Sequence, residues 1–107
     1  MLKRLWRGWT DPANADVYEE LLRSTIFPSI LARRIEGFRG IELLRRDHGA
    51  EVEFMTLMVF DDRDAAVRFA GPDWEISVVP AAARAVLSRF DEKASHYEER
   101  IPQQLPL

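Results

Sequence analysis

Among 107 residues the side chains able to do chemistry are few and scattered, and cysteine is absent. Of the two histidines, His48 lies in a turn-like Asp-His-Gly-Ala stretch and His96 in a strand-like one. His96 is therefore the one neutral base on offer, because an imidazole changes charge near neutral pH. Arg7 and Arg39, both on strand-like segments, can hold an anionic oxygen, and Trp6, Trp9 and Trp74 can flank a flat ligand. No spacing rule ties these residues into one site. Each residue also has a plainer reading. His96 can be a hydrogen-bonded strand residue, and Arg7 and Arg39 can make surface or dimer ion pairs. Trp6 and Trp9 are three apart on a strand and face opposite ways, so one of them belongs to core or interface. Trp74, in an irregular stretch after Gly71-Pro72-Asp73, either lines a cleft or fills the core. His96 and Trp74 in one connected cavity of roughly 300 Å³ or more would mark a ligand site.

Much other chemistry is excluded at the level of letters. Without cysteine there is no thiolate nucleophile, zinc finger or self-ligated iron–sulfur cluster. No GxSxG, P-loop or GxGxxG motif occurs, and two histidines 48 positions apart give no metal-ligand spacing. The acidic run Asp61-Asp62-Arg63-Asp64 reads as a helix N-terminus, and no metal is assigned to it. A net charge of −3 with interspersed signs argues against a nucleic-acid partner. No apolar run reaches the roughly 20 residues of a membrane span, and the first residues lack a signal-peptide core, so a cytoplasmic address is expected.

Positioning these side chains falls to one compact domain, residues 1–100, with a proline-containing tail at 101–107. A composition 47% hydrophobic and 31% charged suits a folded core. Alternation over Leu2–Trp9 predicts a first strand. Thr10-Asp11-Pro12 opens a helix whose apolar stripe is Val17, Tyr18, Leu21 and Leu22; Pro28 should kink or interrupt it, and Gly37 should end it. Phe38–Asp47 and Val52–Phe60 read as a hairpin of two strands. Asp61 or Asp62 caps a short helix through Ala70, and a third helix follows Pro80 with Ala83, Val86, Leu87 and Phe90 on one face. Asp91–Arg100 completes the pattern as a last strand. The order is the split βαβ plan of an α+β, ferredoxin-like domain with a four-stranded antiparallel sheet.

The third strand is apolar on both faces: Val52, Phe54, Met58 and Phe60 on one, Met55, Leu57 and Val59 on the other. A sheet with helices on one side needs only one apolar face. The second face therefore predicts a homodimer through sheet-on-sheet packing, unless the strand is simply central and well covered.

The stretches RLWRGWT, NADVYEELLR, GFRGIELLRRD and EVEFMTLMVFD, with the terminal HYE, resemble the antibiotic biosynthesis monooxygenase family of dimeric α/β barrels. The resemblance runs from Leu2 to about Glu98. It implies a homodimer whose two sheets form a barrel, with helices outside and a ligand cleft in each subunit. Relatives that degrade haem use a histidine after the third strand and an asparagine on the first. This chain has neither, so no haem is expected. Cofactor-free relatives oxidise substrates whose deprotonated form itself reduces dioxygen. That reading would make His96 the base, Arg7 or Arg39 the cation, and Trp6 and Trp74 the substrate wall, with no cofactor. The alternative is a non-catalytic dimeric module of the same shape, binding a small hydrophobic ligand or serving in assembly.

Overall fold

A computed structural model describes residues 1–106. Strand β1 (Leu2–Thr10) is central and pairs along its whole length with β3 (Val52–Phe60), which pairs in turn with β2 (Phe38–Asp47). The other edge of β1 carries two short strands in line, β4 (Arg89–Phe90) and β5 (Ser95–Glu98). All pairings are antiparallel and the order is β2-β3-β1-β4/β5, the ferredoxin-like arrangement. The hairpin between β2 and β3 closes where the Asp47 carboxylate accepts from Gly49 N–H at 2.8 Å and Gly49 adopts φ +85°.

Between β1 and β2 the chain stays helical through Ala32, but not uniformly. Helix α1 (Ala15–Leu21) widens into a π-turn over Leu22–Ile26 before α2 (Phe27–Ala32). Pro28 explains the widening, since it has no N–H to donate into a regular α ladder and its ring crowds the preceding turn. The kink is thus absorbed upstream of the proline. Val17 is not part of the buried stripe, being 54% exposed; Ala15, Tyr18 and Leu22 carry it instead. Nor does Gly37 end the helix. Arg34 takes the left-handed turn (φ +49°) two residues past Ala32, and Gly37 (φ +85°) serves a close approach: a Cβ there would sit 2.7 Å from that of Ala65.

Two further elements are shorter than the sequence pattern predicts. The third helix, α4, covers only Ala81–Arg84, and Phe90 lies in β4. The cause is visible at Ser88, whose N–H and hydroxyl both bond the Trp9 carbonyl (2.8 and 3.0 Å) and draw the chain onto β1. The last strand does not run unbroken from Asp91. Between β4 and β5 the backbone turns to residues 75–77: Ser77 N–H bonds the Glu92 carbonyl, and Ala94 N–H bonds that of Glu75. Helix α3 (Arg63–Ala70) starts as expected, with the Asp62 carboxylate accepting from Ala65 N–H at 3.0 Å.

One sheet face receives the helices. On it lie two packed clusters: Leu2, Met58 and Phe60 with Ala65, Ala66 and Phe69 of α3, and Val52 and Phe54 with Ala15, Tyr18, Leu22 and Ala83. Among the described residues no layer covers the opposite face. Leu5, Met55, Leu57 and Val59 are only half-buried there, and Leu44 and Tyr97 are 48% and 61% exposed. Among the described residues no helix is long and apolar enough to cross a membrane.

Candidate functional site

The two clusters leave a gap between them, and that gap is the cleft. Arg4 and Trp6 of β1 and Thr56 and Met58 of β3 form its floor, while Tyr18, Leu22, Ile26 and Phe27 close it from above. Strand parity dictates the floor, because residues two apart on β1 point the same way and Arg4 and Trp6 face their partners Met58 and Thr56. The cleft volume is about 60 Å³. Leu22 and Phe27 also line an outer groove of about 360 Å³ against Leu43 and Arg45, so these two side chains are the wall between interior and surface. The π-turn starts at Leu22 and stops one residue before Phe27, and such turns recur at functional sites.

Arg4 dominates the electrostatics. It is 3% exposed and donates to the carbonyls of Trp74 and Ile76 (3.2 Å to the latter) and to His96 Nε2 at 3.0 Å. Its guanidinium carbon lies 5.4 Å from the centre of the Phe69 ring. Burial pulls its pKa down to about 10, still far above neutrality. A guanidinium only donates, so His96 Nε2 must be the acceptor and the imidazole is neutral. Burial, and then the Arg4 charge, hold the His96 pKa at about 4.

His96 and Trp74 are brought together, with ring centres 3.9 Å apart and planes tilted by 37°, but they pack against each other instead of lining a shared cavity. The 300 Å³ marker is therefore not met. Arg63 covers Trp74 at 4.8 Å, and the indole borders an open surface groove with Pro72, Asp73 and Lys93. Trp6 lines the cleft while its Nε1–H donates to the Asp91 carbonyl (2.8 Å) and Ser77 Oγ (3.0 Å). Trp9 points to the opposite face, buried beneath Arg7 and Arg89 at 5.2 and 3.8 Å. The remaining two candidates lie outside the cleft. Arg7 is exposed and paired with Asp91 at 3.1 Å; Arg39 is exposed and grips Asp61 with two bonds of 2.6 and 2.7 Å. His48 pairs with Glu53 at 2.7 Å beside the hairpin turn.

Two cleft residues escape sequence reasoning. One is Arg4, whose charge in an alternating strand suggests a solvated position. The signal was its parity, since it shares a face with Leu2 and Trp6. The other is Tyr18, read only as part of an apolar stripe. It is 1% exposed, packs edge-on against Phe54 at 4.9 Å, and burial raises its pKa well above the ordinary phenol range. Among the described residues no three His, Asp or Glu side chains converge to hold a metal. The donor set does not fit haem iron either: the segment from Asp61 to Phe90 contains no histidine, and the only imidazole beside the cleft is occupied by Arg4.

A split βαβ sheet with an apolar cleft under its helices defines a small α+β domain of the ferredoxin-like class, and solved structures share it. A candidate antibiotic biosynthesis monooxygenase from Nitrosomonas europaea matches with a TM-score of 0.65 at 14% identity, over 92% of this chain and 98% of that one. Another from Bacillus cereus gives 0.63 at 15%, over 97% of each. SnoaB, a cofactor-independent oxygenase from Streptomyces nogalater, gives 0.54 at 23%, over 99% of this chain and 97% of that one. No protein-family profile matches this chain, and no curated protein matches it in sequence. The chain thus has the fold seen in the antibiotic biosynthesis monooxygenases.

Proposed function

We propose that this protein is a cofactor-independent monooxygenase acting, as a homodimer, on a small aromatic or enolisable substrate held in the cleft. The observation that carries the reading is a narrow, largely apolar cleft whose single charged lining residue, among the described residues, is the buried Arg4. Its fold likeness to an oxygenase that works without a cofactor supports the same reading. In such chemistry the substrate loses a proton, its anion passes an electron to dioxygen, and the two radicals combine to a peroxide anion, which takes the proton back as a hydroperoxide. Loss of water then leaves a carbonyl, with all electrons drawn from substrate and oxygen. The protein's share is to hold the anion, exclude water and accept the proton. Arg4 supplies the cation and Trp6 part of the wall. His96 is the base, exchanging its bond from Arg4 for the substrate proton, and Trp74 fixes its ring. Arg7 faces the side on which a second copy packs, and Arg39 stays with Asp61 at the surface.

The dimer follows from the uncovered face. Burying about 800 Å² per partner at ~25 cal/mol per Å² contributes tens of kcal/mol before association costs. Oxygen uptake with candidate phenols tests the function. Turnover that disappears in His96→Ala while dimer and ligand binding persist supports catalysis. Binding without turnover supports the second reading, a non-catalytic ligand-binding module. Two observations favour that one: the interior holds only about 60 Å³, and His96, with a pKa of about 4, is a weak base.

A further inference from the structure

Arg4 carries a charge that nothing nearby balances. The ion pairs among the described residues, such as Arg7–Asp91, Arg39–Asp61 and Arg89–Glu51, lie at the surface, and none involves Arg4. Its partners are two backbone carbonyls and a neutral imidazole, and among the described residues no carboxylate lines the cleft. Buried charges are ordinarily paired, because a cation removed from water needs an anion nearby. Tying the Trp74–Ile76 segment to β1 does not require that charge, since a neutral donor bonds a carbonyl as well. Three of the five guanidinium N–H groups are spent on these bonds, which leaves two. Around Arg4 the surface is apolar: Met58, Ile41 and the face of Phe69.

The geometry points to an anion site in which the two remaining N–H groups of Arg4 receive the carboxylate of a small apolar acid. This rests on the reading of the cleft as the ligand site and adds the chemical class of its occupant. Two donors on one planar group match two carboxylate oxygens, which a neutral amide or alcohol cannot reproduce. The acid's apolar body lies along Met58 and Ile41 towards Phe27. At about 60 Å³ the interior accepts the head group, and a body larger than a few carbons displaces Phe27 towards the outer groove.

Calorimetric titration of the full chain with benzoate and with its neutral isostere benzamide tests this, with the methionine methyls followed by NMR. Benzoate binds at least about tenfold more tightly than benzamide if the charge is read. The methyl of Met58, in the cleft, shifts on binding, while that of Met55, on the opposite face, stays. Arg4→Met removes the preference for benzoate; should that variant not fold, the two ligands and the two methyls on the unaltered chain still decide. Equal affinity for both ligands, or a shift confined to Met55, overturns the proposal. Oxygen consumption plays no part here. A chain that binds benzoate beside Met58 and consumes no oxygen keeps this site and loses the oxygenase reading, and the reverse result does the opposite.

Discussion

Arg4 and His96 meet across the β1–β5 pairing, the guanidinium donating to Nε2 at 3.0 Å, so that a buried cation is bonded to an imidazole that is uncharged while that bond is made. Protonating His96 would remove the acceptor and set two positive charges together.

Acid stability should report this contact. The folded His96 pKa of about 4 lies below its ordinary value of 6.5, so between those values the unfolded chain holds a proton that the native protein does not. Stability falls as pH drops from about 6.5 to about 4, by roughly 1–2 kcal/mol once solvent screening of the partly exposed ring is allowed for. Asp61, Glu19 and Glu51, held below the usual carboxylate range chiefly by bonds from Arg39, Arg23 and Arg89, lose their contribution at lower pH. Urea unfolding of His96→Gln, which keeps an acceptor for Arg4, should lose the slope of the upper window and retain the lower one.

Removing the wall between cleft and groove is a second test. Phe27→Ala should lower stability by about 2 kcal/mol, because the ring is only partly buried, and should speed entry of aromatic ligands into the interior. Denaturant melts give the first number and stopped-flow tryptophan fluorescence the second. Unchanged association rates would mean that ligands enter elsewhere.

Leu57→Glu places a charge in the middle of the uncovered sheet face. A dimer closed by that face should fall apart into particles of 12.4 kDa in light scattering, with the circular dichroism spectrum preserved. A wild-type chain that already scatters as a monomer at micromolar concentration would remove the dimer from the proposed function.

Gly37→Ala combines a positive φ with a methyl 2.7 Å from Ala65 Cβ. The variant should lose about 1–3 kcal/mol, read as a lower urea midpoint at constant slope.

Much of the frame was legible because β1 alternates strongly enough to set its parity, β3 reads as a near-continuous apolar run between turn signals, and the strand order follows from the element order. The opposite facing of Trp6 and Trp9 was legible for the same reason. What the letters hid lies where long-range bonds override local pattern. Ser88 is captured by the Trp9 carbonyl and cuts the third helix short, and the Asp91 carbonyl turns to Trp6 and splits the last strand. Of the site residues singled out in the sequence, Trp6 is the one that lines the candidate cleft. Both His96 and Trp74 stand beside the cleft, yet Arg4, its charged lining residue, hides among the alternating charges of the first strand until its partners Met58 and His96 show it pointing inward.

The broken edge at Asp91–Ala94 has a bearing on assembly. An intact rim strand offers a ladder of free amides and carbonyls to any stray peptide, and here those groups are spent on residues 75–77. The far rim, β2, carries Arg39, Glu42, Arg45, Arg46 and Asp47, charges that resist a flat neighbour. With both borders guarded, sideways growth into fibre-like ribbons is discouraged, and the proposed pairing of two copies is left to the broad greasy face, which a single partner uses up.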